Sequence, residues 1–387
     1  MALTKLIDIC SKIGSGATPK GGKEAYCEKG ISLVRSQNIL DFSFSCDGLA
    51  HITEEQAEKL SNVELKENDV LLNITGDSVA RACTMDAQYL PARVNQHVAI
   101  IRGNADKVLN SFLLYFLQWR KGFLLQLASA GATRNALTKG MIEQLEIDLP
   151  PLEQQERVVS ILNALQAKMK NNQQINDNLE QQAAALFFNF YDRADTEVGF
   201  TEIVQILGGG TPKTGETSYW NGNIPFFTPK DVGTPYTLTT EKAITEDGLA
   251  HCNSRLYPIN TVFVTARGTV GKVGLPGVPM AMNQSCYALV GKDTHQLLVY
   301  FYTLKAVDRL KHKASGAVFD AITTRDFESE SIMQLSDADA MAFLDVAEPM
   351  YQNILSNSIE NLRLATLRDA LLPKLMSGEI DVSAIQV

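Results

Sequence analysis

PPLEQQERVVSILNALQAKMKNNQQINDNLEQQAAALFFNF, residues 150–190, contains no glycine and no proline beyond its opening Pro150-Pro151. Proline is tolerated at a helix start, where its missing N–H would have no partner anyway. Val158, Ile161, Leu162, Leu165, Met169, Ile175, Leu179, Ala183 and Leu186 recur at three- and four-residue steps, which makes one apolar stripe on a helix. Lys168, Lys170, Asn171, Gln173, Gln174 and Asp177 lie between them. About forty residues rising ~1.5 Å each give a helix on the order of 60 Å long. A helix of that length with a narrow stripe pairs with another helix instead of filling one domain's core.

A partner lies near the other end. Asp337 to Met376 carries Phe343, Leu344, Val346, Met350, Ile354, Leu355, Ile359, Leu362, Leu367, Leu371 and Leu372. Pro349 predicts a kink or a break, because proline removes a backbone donor and crowds the turn before it. Gly378 is placed to end the helix. The plan is a globular segment, a long helix, a second globular segment and a second long helix, over residues 1–150, 151–193, 194–335 and 336–387. The two helices are expected to pair as an antiparallel coiled coil.

The globular segments repeat one another, and a repeat sets the architecture. Thr18-Pro19-Lys20 recurs as Thr211-Pro212-Lys213, an offset of 193. The run from Gly30 to Leu40 matches Gly222 to Val232 at 192, and Ser78-Val79 matches Thr269-Val270 at 191. Asn95-Gln96 matches Asn283-Gln284 at 188, and Ala136-Leu137-Thr138 matches Ala321-Ile322-Thr323 at 185. An offset that shrinks in small steps describes loops trimmed in the second copy, and such trimming is cheap. Ile31–Val34, Val70–Ile74, Val98–Ile101, Ile224–Phe227, Thr261–Thr265 and Tyr287–Val290 are expected as short strands. Residues 110–128 and 294–314 are expected as helices, with Tyr115 and Trp119 in the core. The fold class is therefore α+β: two mixed α/β domains, each followed by a long helix.

The chain has 387 residues, 45% hydrophobic and 20% charged, an ordinary globular composition. No run of eighteen apolar residues is present, so no membrane span is expected. The start, Met1-Ala2-Leu3-Thr4-Lys5-Leu6, lacks a signal core, so a cytoplasmic location is expected. Six scattered cysteines form no Cys-x-x-Cys pair, which argues against a zinc ribbon or a disulfide framework. The net charge is −9, and residues 336–387 hold −5 of it, with three basic and eight acidic side chains. The globular segments are near neutral, which leaves room for a local basic groove on each.

Catalytic patterns are missing. Gly14-Ser15-Gly16-Ala17-Thr18-Pro19-Lys20-Gly21-Gly22-Lys23 fails the spacing of a phosphate loop, and Pro19 removes a donor such a loop would use. It reads as a turn, as does Gly208-Gly209-Gly210. The five histidines show no metal spacing, and no Gly-x-Ser-x-Gly elbow is present. The Asn-Pro-Pro-Tyr/Phe run expected of an amino-methyltransferase is missing as well. The chain reads as a binder or an organiser, not an enzyme.

What it offers instead is repeated polar turns. The first copy presents Lys20, Arg35, Ser36, Gln37, Asn38, Thr75, Ser78, Arg81, Asn95, Gln96 and Arg134. The second presents Lys213, Thr228, Lys230, Thr265, Arg267, Thr269, Lys272, Asn283 and Gln284. Arg, Asn and Gln can pair in bidentate fashion with base edges, while Ser, Thr and Lys suit phosphates. Frame residues repeat while contact residues differ: Arg35-Ser36-Gln37 falls against Phe227-Thr228-Pro229, and Gly76-Asp77 against Arg267-Gly268. Two such copies would bind two different short sequences.

Here the chain resembles the specificity subunits of type I restriction–modification enzymes. The resemblance is carried by Gly208-Gly209-Gly210-Thr211-Pro212, Tyr219-Trp220-Asn221-Gly222-Asn223-Ile224-Pro225 and Arg35-Ser36-Gln37-Asn38-Ile39. Leu149-Pro150-Pro151-Leu152-Glu153-Gln154-Gln155 and Leu372-Pro373-Lys374-Leu375-Met376-Ser377-Gly378-Glu379-Ile380 add to it. The second copy has Gln334-Leu335-Ser336-Asp337 where the first has Leu-Pro-Pro-Leu-Glu-Gln-Gln. The resemblance implies two target recognition domains, each taking one half of a split DNA site. It implies that the helices set the spacer and dock two methyltransferase subunits, joined by restriction/translocase subunits on double-stranded DNA. S-adenosylmethionine, and ATP with Mg, would belong to those partners, with no cofactor or metal on this chain. The alternative is a protein-binding adaptor with two ligand domains on a helical spacer and no DNA role.

Overall fold

The computed structural model describes residues 3–19, 21, 25–129, 135–233, 235–313 and 321–384. The chain divides into two compact units, Met1–Ala167 with Leu364–Val387, and Lys168–Arg363.

In the first unit, Cys10–Ser15, Val98–Gly103, Val70–Asn73 and Ala82–Thr84 form an antiparallel sheet in that order. Val70–Asn73 is buried at every position, which is why it reads as a continuous apolar run and not an alternation. Ile31–Val34 lies between Ala50–Ile52, antiparallel to it, and Ala92–Val94, parallel to it. Leu3–Lys5 pairs with Glu146–Asp148. The helix expected over 110–128 is two, Asn110–Trp119 and Lys121–Ser129. The junction is tied to the sheet side: Gln118 Nε2 donates to Ala82 O at 2.7 Å, and Lys121 pairs with Asp41. Tyr115 is buried in the core and Trp119 is half-buried against it.

The second unit repeats this strand for strand. Val204–Gly208, Cys286–Gly291, Val262–Thr265 and Val273–Pro276 make the equivalent sheet, extended by Tyr236–Thr237. Trp220–Phe227 lies between Lys242–Ile244 and Ala281–Met282 with the same strand senses as its counterpart. Thr196–Gly199 pairs with Ser331–Gln334. Gln296–Lys313 is the packed helix. The repeated Thr138 and Thr323 have one job: each side chain caps a short helix, Lys139–Glu143 or Thr324–Glu328.

The long helices are Leu152–Tyr191 and Asp337–Met376, forty residues each. In the first unit, Val158 and Leu162 share a core with Leu372, Leu375 and Met376. Gln155 explains part of the motif that opens the first helix. It is fully buried; its Oε1 accepts from Leu109 N at 3.0 Å and its Nε2 donates to Lys107 O at 3.0 Å and Pro150 O at 2.8 Å. In the second unit, the Phe187 ring lies 5.5 Å from Phe343 and 4.9 Å from Phe301. Further along, Asn172 Nδ2 donates to Glu360 Oε2 at 2.7 Å and Asn361 Oδ1 at 2.9 Å. Asn357 Nδ2 donates to Asn176 Oδ1 at 2.9 Å, so residue numbers rise on one helix as they fall on the other, an antiparallel pair.

Two expectations about the second helix change. Helical assignment runs unbroken through Pro349, so there is no break. Pro349 and Asp345, whose carbonyl loses its donor, are both exposed, and water can satisfy that oxygen. The start is also settled: Ser336 Oγ accepts from Asp339 N at 3.2 Å, a side-chain cap in place of the proline pair.

Candidate nucleic-acid interface

Four turns of the first unit are bonded into one surface. Asn95 N donates to Val34 O at 3.1 Å, and Gly16 N to Asn95 O at 3.1 Å. Thr18 Oγ1 donates to Gln96 Oε1. Asn73 Nδ2 donates to Ser36 O at 2.9 Å and to Ser78 Oγ at 3.0 Å. Thr75 Oγ1 meets His97 Nδ1 at 2.6 Å, and Gln96 Nε2 meets His97 Nε2 at 3.1 Å.

The second unit builds the same surface. Asn283 N donates to Phe227 O at 2.9 Å, and Thr211 Oγ1 to Gln284 Oε1. Asn283 Oδ1 accepts from Ser285 N at 3.0 Å, as Asn95 Oδ1 does from His97 N at 3.0 Å. Asp231 Oδ2 accepts from Thr228 N at 2.8 Å, as Asn38 Oδ1 does from Arg35 N at 3.0 Å. Gly271 N donates to Thr265 O at 2.8 Å, and Ala80 N to Asn73 O at 2.8 Å.

These shared bonds correct the correspondence between copies by one residue. Arg35 matches Thr228, Ser36 matches Pro229 and Gln37 matches Lys230. Thr75 matches Arg267, and Gly76 matches Gly268, with φ of 78° and 83°. Arg81 matches Lys272, since their carbonyls accept from Asn73 N and Thr265 N. The first copy has one extra residue between Gly76 and Ala80. Strand pairing sets the register, and side-chain resemblance in a loop does not.

The glycines serve close approach. A Cβ on Gly16 would lie 1.7 Å from Val94 O, and one on Gly209 would lie 2.1 Å from Asn283 O. Each glycine directly follows a strand, Cys10–Ser15 or Val204–Gly208, and packs backbone against backbone.

The expected contact residues divide into several groups. Asn38, Asn95 and Thr265 are buried, and their side chains bond their own turns. They are turn formers, a correction to their expected role as contacts. Thr228 is likewise spent on Asp231, Oγ1 to Oδ2 at 2.6 Å. Thr269 Oγ1 donates to Pro229 O at 3.1 Å, and Asn73 holds Ser36 and Ser78. Arg35 donates to Gly48 O and lies 5.3 Å over the Tyr26 ring. Gln37, an exposed residue, donates through Nε2 to Asp47 O and Gly48 O, both at 3.2 Å. Gln96 and Gln284 are exposed and held by threonines. Lys213, Lys230, Arg267 and Lys272 are exposed, Arg81 is half-buried, and none makes an ion pair or side-chain hydrogen bond among the described residues. Lys20 and Arg134 lie outside the described residues.

Thr18, Thr211 and Asn73 belong to the network but not to the expected set. The recurrence of Thr18 and Thr211 was one available signal; the other is that Asn73 is the lone polar residue in the apolar run Val70–Ile74, where a buried amide must find partners.

Burial pushes the thiols of Cys10, Cys83 and Cys286 up to about 12, so they are not poised nucleophiles. Among the described residues, no group of three or more His, Cys, Asp or Glu side chains could hold a metal ion. Among the same residues, no helix is long and apolar enough to cross a membrane.

Residues 2–181 and 196–334 each match the type I restriction modification DNA specificity domain. The chain belongs to that family. Its twofold match agrees with the internal repeat. The chain is 23% identical over 400 residues to the type I restriction enzyme HindI specificity subunit of Haemophilus influenzae, covering 82% of this chain and 87% of that one. It is 32% identical over 124 residues to the MjaIX specificity subunit of Methanocaldococcus jannaschii, covering 30% and 29%. The crystal structure of a type I restriction-modification S subunit from M. genitalium matches with a TM-score of 0.60 at 12% identity, over 97% of this chain and 96% of that one. That likeness is one of fold. Members of the type I specificity family are components of restriction–modification complexes and not themselves catalysts.

Proposed function

We propose that this type I specificity chain selects DNA sequence, each unit taking one half of a bipartite, asymmetric site. The observation that supports it is the face built twice, with the same bonded turns, unpaired cations and unlike exposed side chains. Unpaired Lys and Arg suit phosphates, and Arg and Gln suit base edges. The long helices set the number of base pairs between the half-sites and dock two methyltransferase subunits, which restriction/translocase subunits join. S-adenosylmethionine, and ATP with Mg, act on those partners. At a net charge of −9, the chain relies on bound subunits for part of the phosphate contact.

The test is binding by the complex assembled with its modification subunits. The target is first found by comparing host DNA methylation with and without this chain. Duplexes bearing both half-sites should bind tightly, with affinity falling steeply as salt rises. Duplexes bearing one half-site should bind weakly. Gln37→Ala should change recognition of the first half-site alone. Equal loss at both half-sites would sink the two-reader account, and salt-insensitive binding would sink the DNA role.

A further inference from the structure

The two copies act as internal controls for one another. Once bonds and not resemblance set the correspondence, some surface positions hold the same chemistry in both and others do not. Thr18 and Thr211 hold Gln96 and Gln284 alike. Arg81 and Lys272 are equivalent cations, and neither has a partner among the described residues. Between these lies a position where the copies part. In the first unit it is Thr75, in the second Arg267.

The difference extends through the turn. In the first unit a chain of bonds runs from the Thr18 hydroxyl to Gln96 Oε1, from Gln96 Nε2 to His97 Nε2, and from His97 Nδ1 to Thr75 Oγ1 at 2.6 Å. With Gln96 Nε2 as donor, His97 Nε2 must accept, so its proton sits on Nδ1 and is given to Thr75. Thr75, half-buried, then has its own O–H left to donate. In the second unit the chain stops at Gln284. Ser285 replaces His97, and Arg267, exposed next to the left-handed Gly268, replaces Thr75. That unit presents a guanidinium fork where the first presents a neutral hydroxyl.

We propose that the Thr75–His97 pair and Arg267 discriminate bases, whereas Arg81 and Lys272 hold the DNA backbone without regard to sequence. This rests on the DNA-selecting reading above and assigns work within that face. A phosphate looks the same in both half-sites, so its contact can be a positive charge in both copies, Arg81 in one and Lys272 in the other. A base edge differs between half-sites, so its contact must differ. The Arg267 fork suits the O6 and N7 acceptors of a guanine, and Thr75 suits a single acceptor or a thymine methyl.

The experiment uses the complex assembled with its modification subunits and a duplex library with randomised bases, sequenced after selection. Arg267→Ala should relax preference at one or two base pairs of the second half-site, with discrimination there falling about tenfold or more. Arg267→Lys keeps the charge and loses the fork, so it should relax the same base pairs with little loss of overall affinity. Thr75→Arg with His97→Ser should shift the preferred bases in the first half-site and leave the second unchanged. Arg81→Ala and Lys272→Ala should weaken all sequences alike and lower the salt slope by about one. An even loss across sequences for both Arg267 variants, with unaltered preferences, would overturn the assignment. So would a relaxed preference on Arg81→Ala. If the unsubstituted complex selects no sequence from the library, the DNA-selecting reading itself fails and takes the assignment with it.

Discussion

A methyl group at Gly16 would sit 1.7 Å from the Val94 carbonyl oxygen, and one at Gly209 would sit 2.1 Å from that of Asn283. Backbone cannot yield that much locally, so alanine must push the loop off its neighbour and break the Thr–Gln bond. Gly16→Ala is expected to weaken binding at the first half-site more than tenfold with the unit still folded; half-site binding and circular dichroism check both parts. Glu180 offers a test of electrostatics. Burial, and then the Asp177 carboxylate, raise its pKa from the ordinary glutamate value. A raised folded pKa means the folded chain holds the proton more tightly, so Glu180 costs stability as pH rises past the unfolded value near ~4.3. Glu180→Gln should raise the melting temperature at pH 7 and make no difference near pH 4, as thermal scans at the two values would show. Single residues are also where the sequence misleads. Asn38 and Thr265 look like Gln37 and Arg267 on paper, because a polar loop side chain that bonds its own turn has the same composition as one that waits for a ligand.

The long helices were legible because forty residues give eleven turns over which a 3.6-residue period can show. Strands of three residues, such as Leu3–Lys5 and Ala82–Thr84, give no period at all and are specified by the neighbour they pair with. At Pro349 propensity predicts a kink or a break, yet packing of Phe343, Ala347, Tyr351 and Ile354 on both sides keeps the helix unbroken. What periodicity did not predict is the polar step between the helices. Asn172 and Asn176 are buried, and they bond Glu360, Asn361, Asn357 and Ser358. A slip along the pair would bury these amides against apolar side chains, so they select one register at some cost in stability. Asn172→Leu with Asn361→Leu should raise the melting temperature while admitting other pairings. Size-exclusion chromatography should then resolve more than one species, and a single unchanged species would contradict the register role.

The duplication was readable from five ordered anchors, and it carried the reading of function further than any single motif did. The structure adds where the units divide: between Ala167 and Lys168 on one helix, and between Arg363 and Leu364 on the other. Asn172 binds Glu360 and Asn361 across the pair, so inserting residues in one helix alone would break those bonds. Matched four-residue insertions, one in each helix, should keep the chain folded and change the DNA spacer the complex accepts; methylation of targets with varied spacers measures this, and an unchanged optimum would contradict the ruler. Neither division falls in a loop. Any added length therefore comes with a turn of the screw: four residues advance a helix by about 6 Å and leave it about 40° past a full revolution, and seven leave it about 20° short of two. Under the proposed ruler role, the DNA spacers accepted after lengthening should therefore form a discrete, stepped set rather than a continuum.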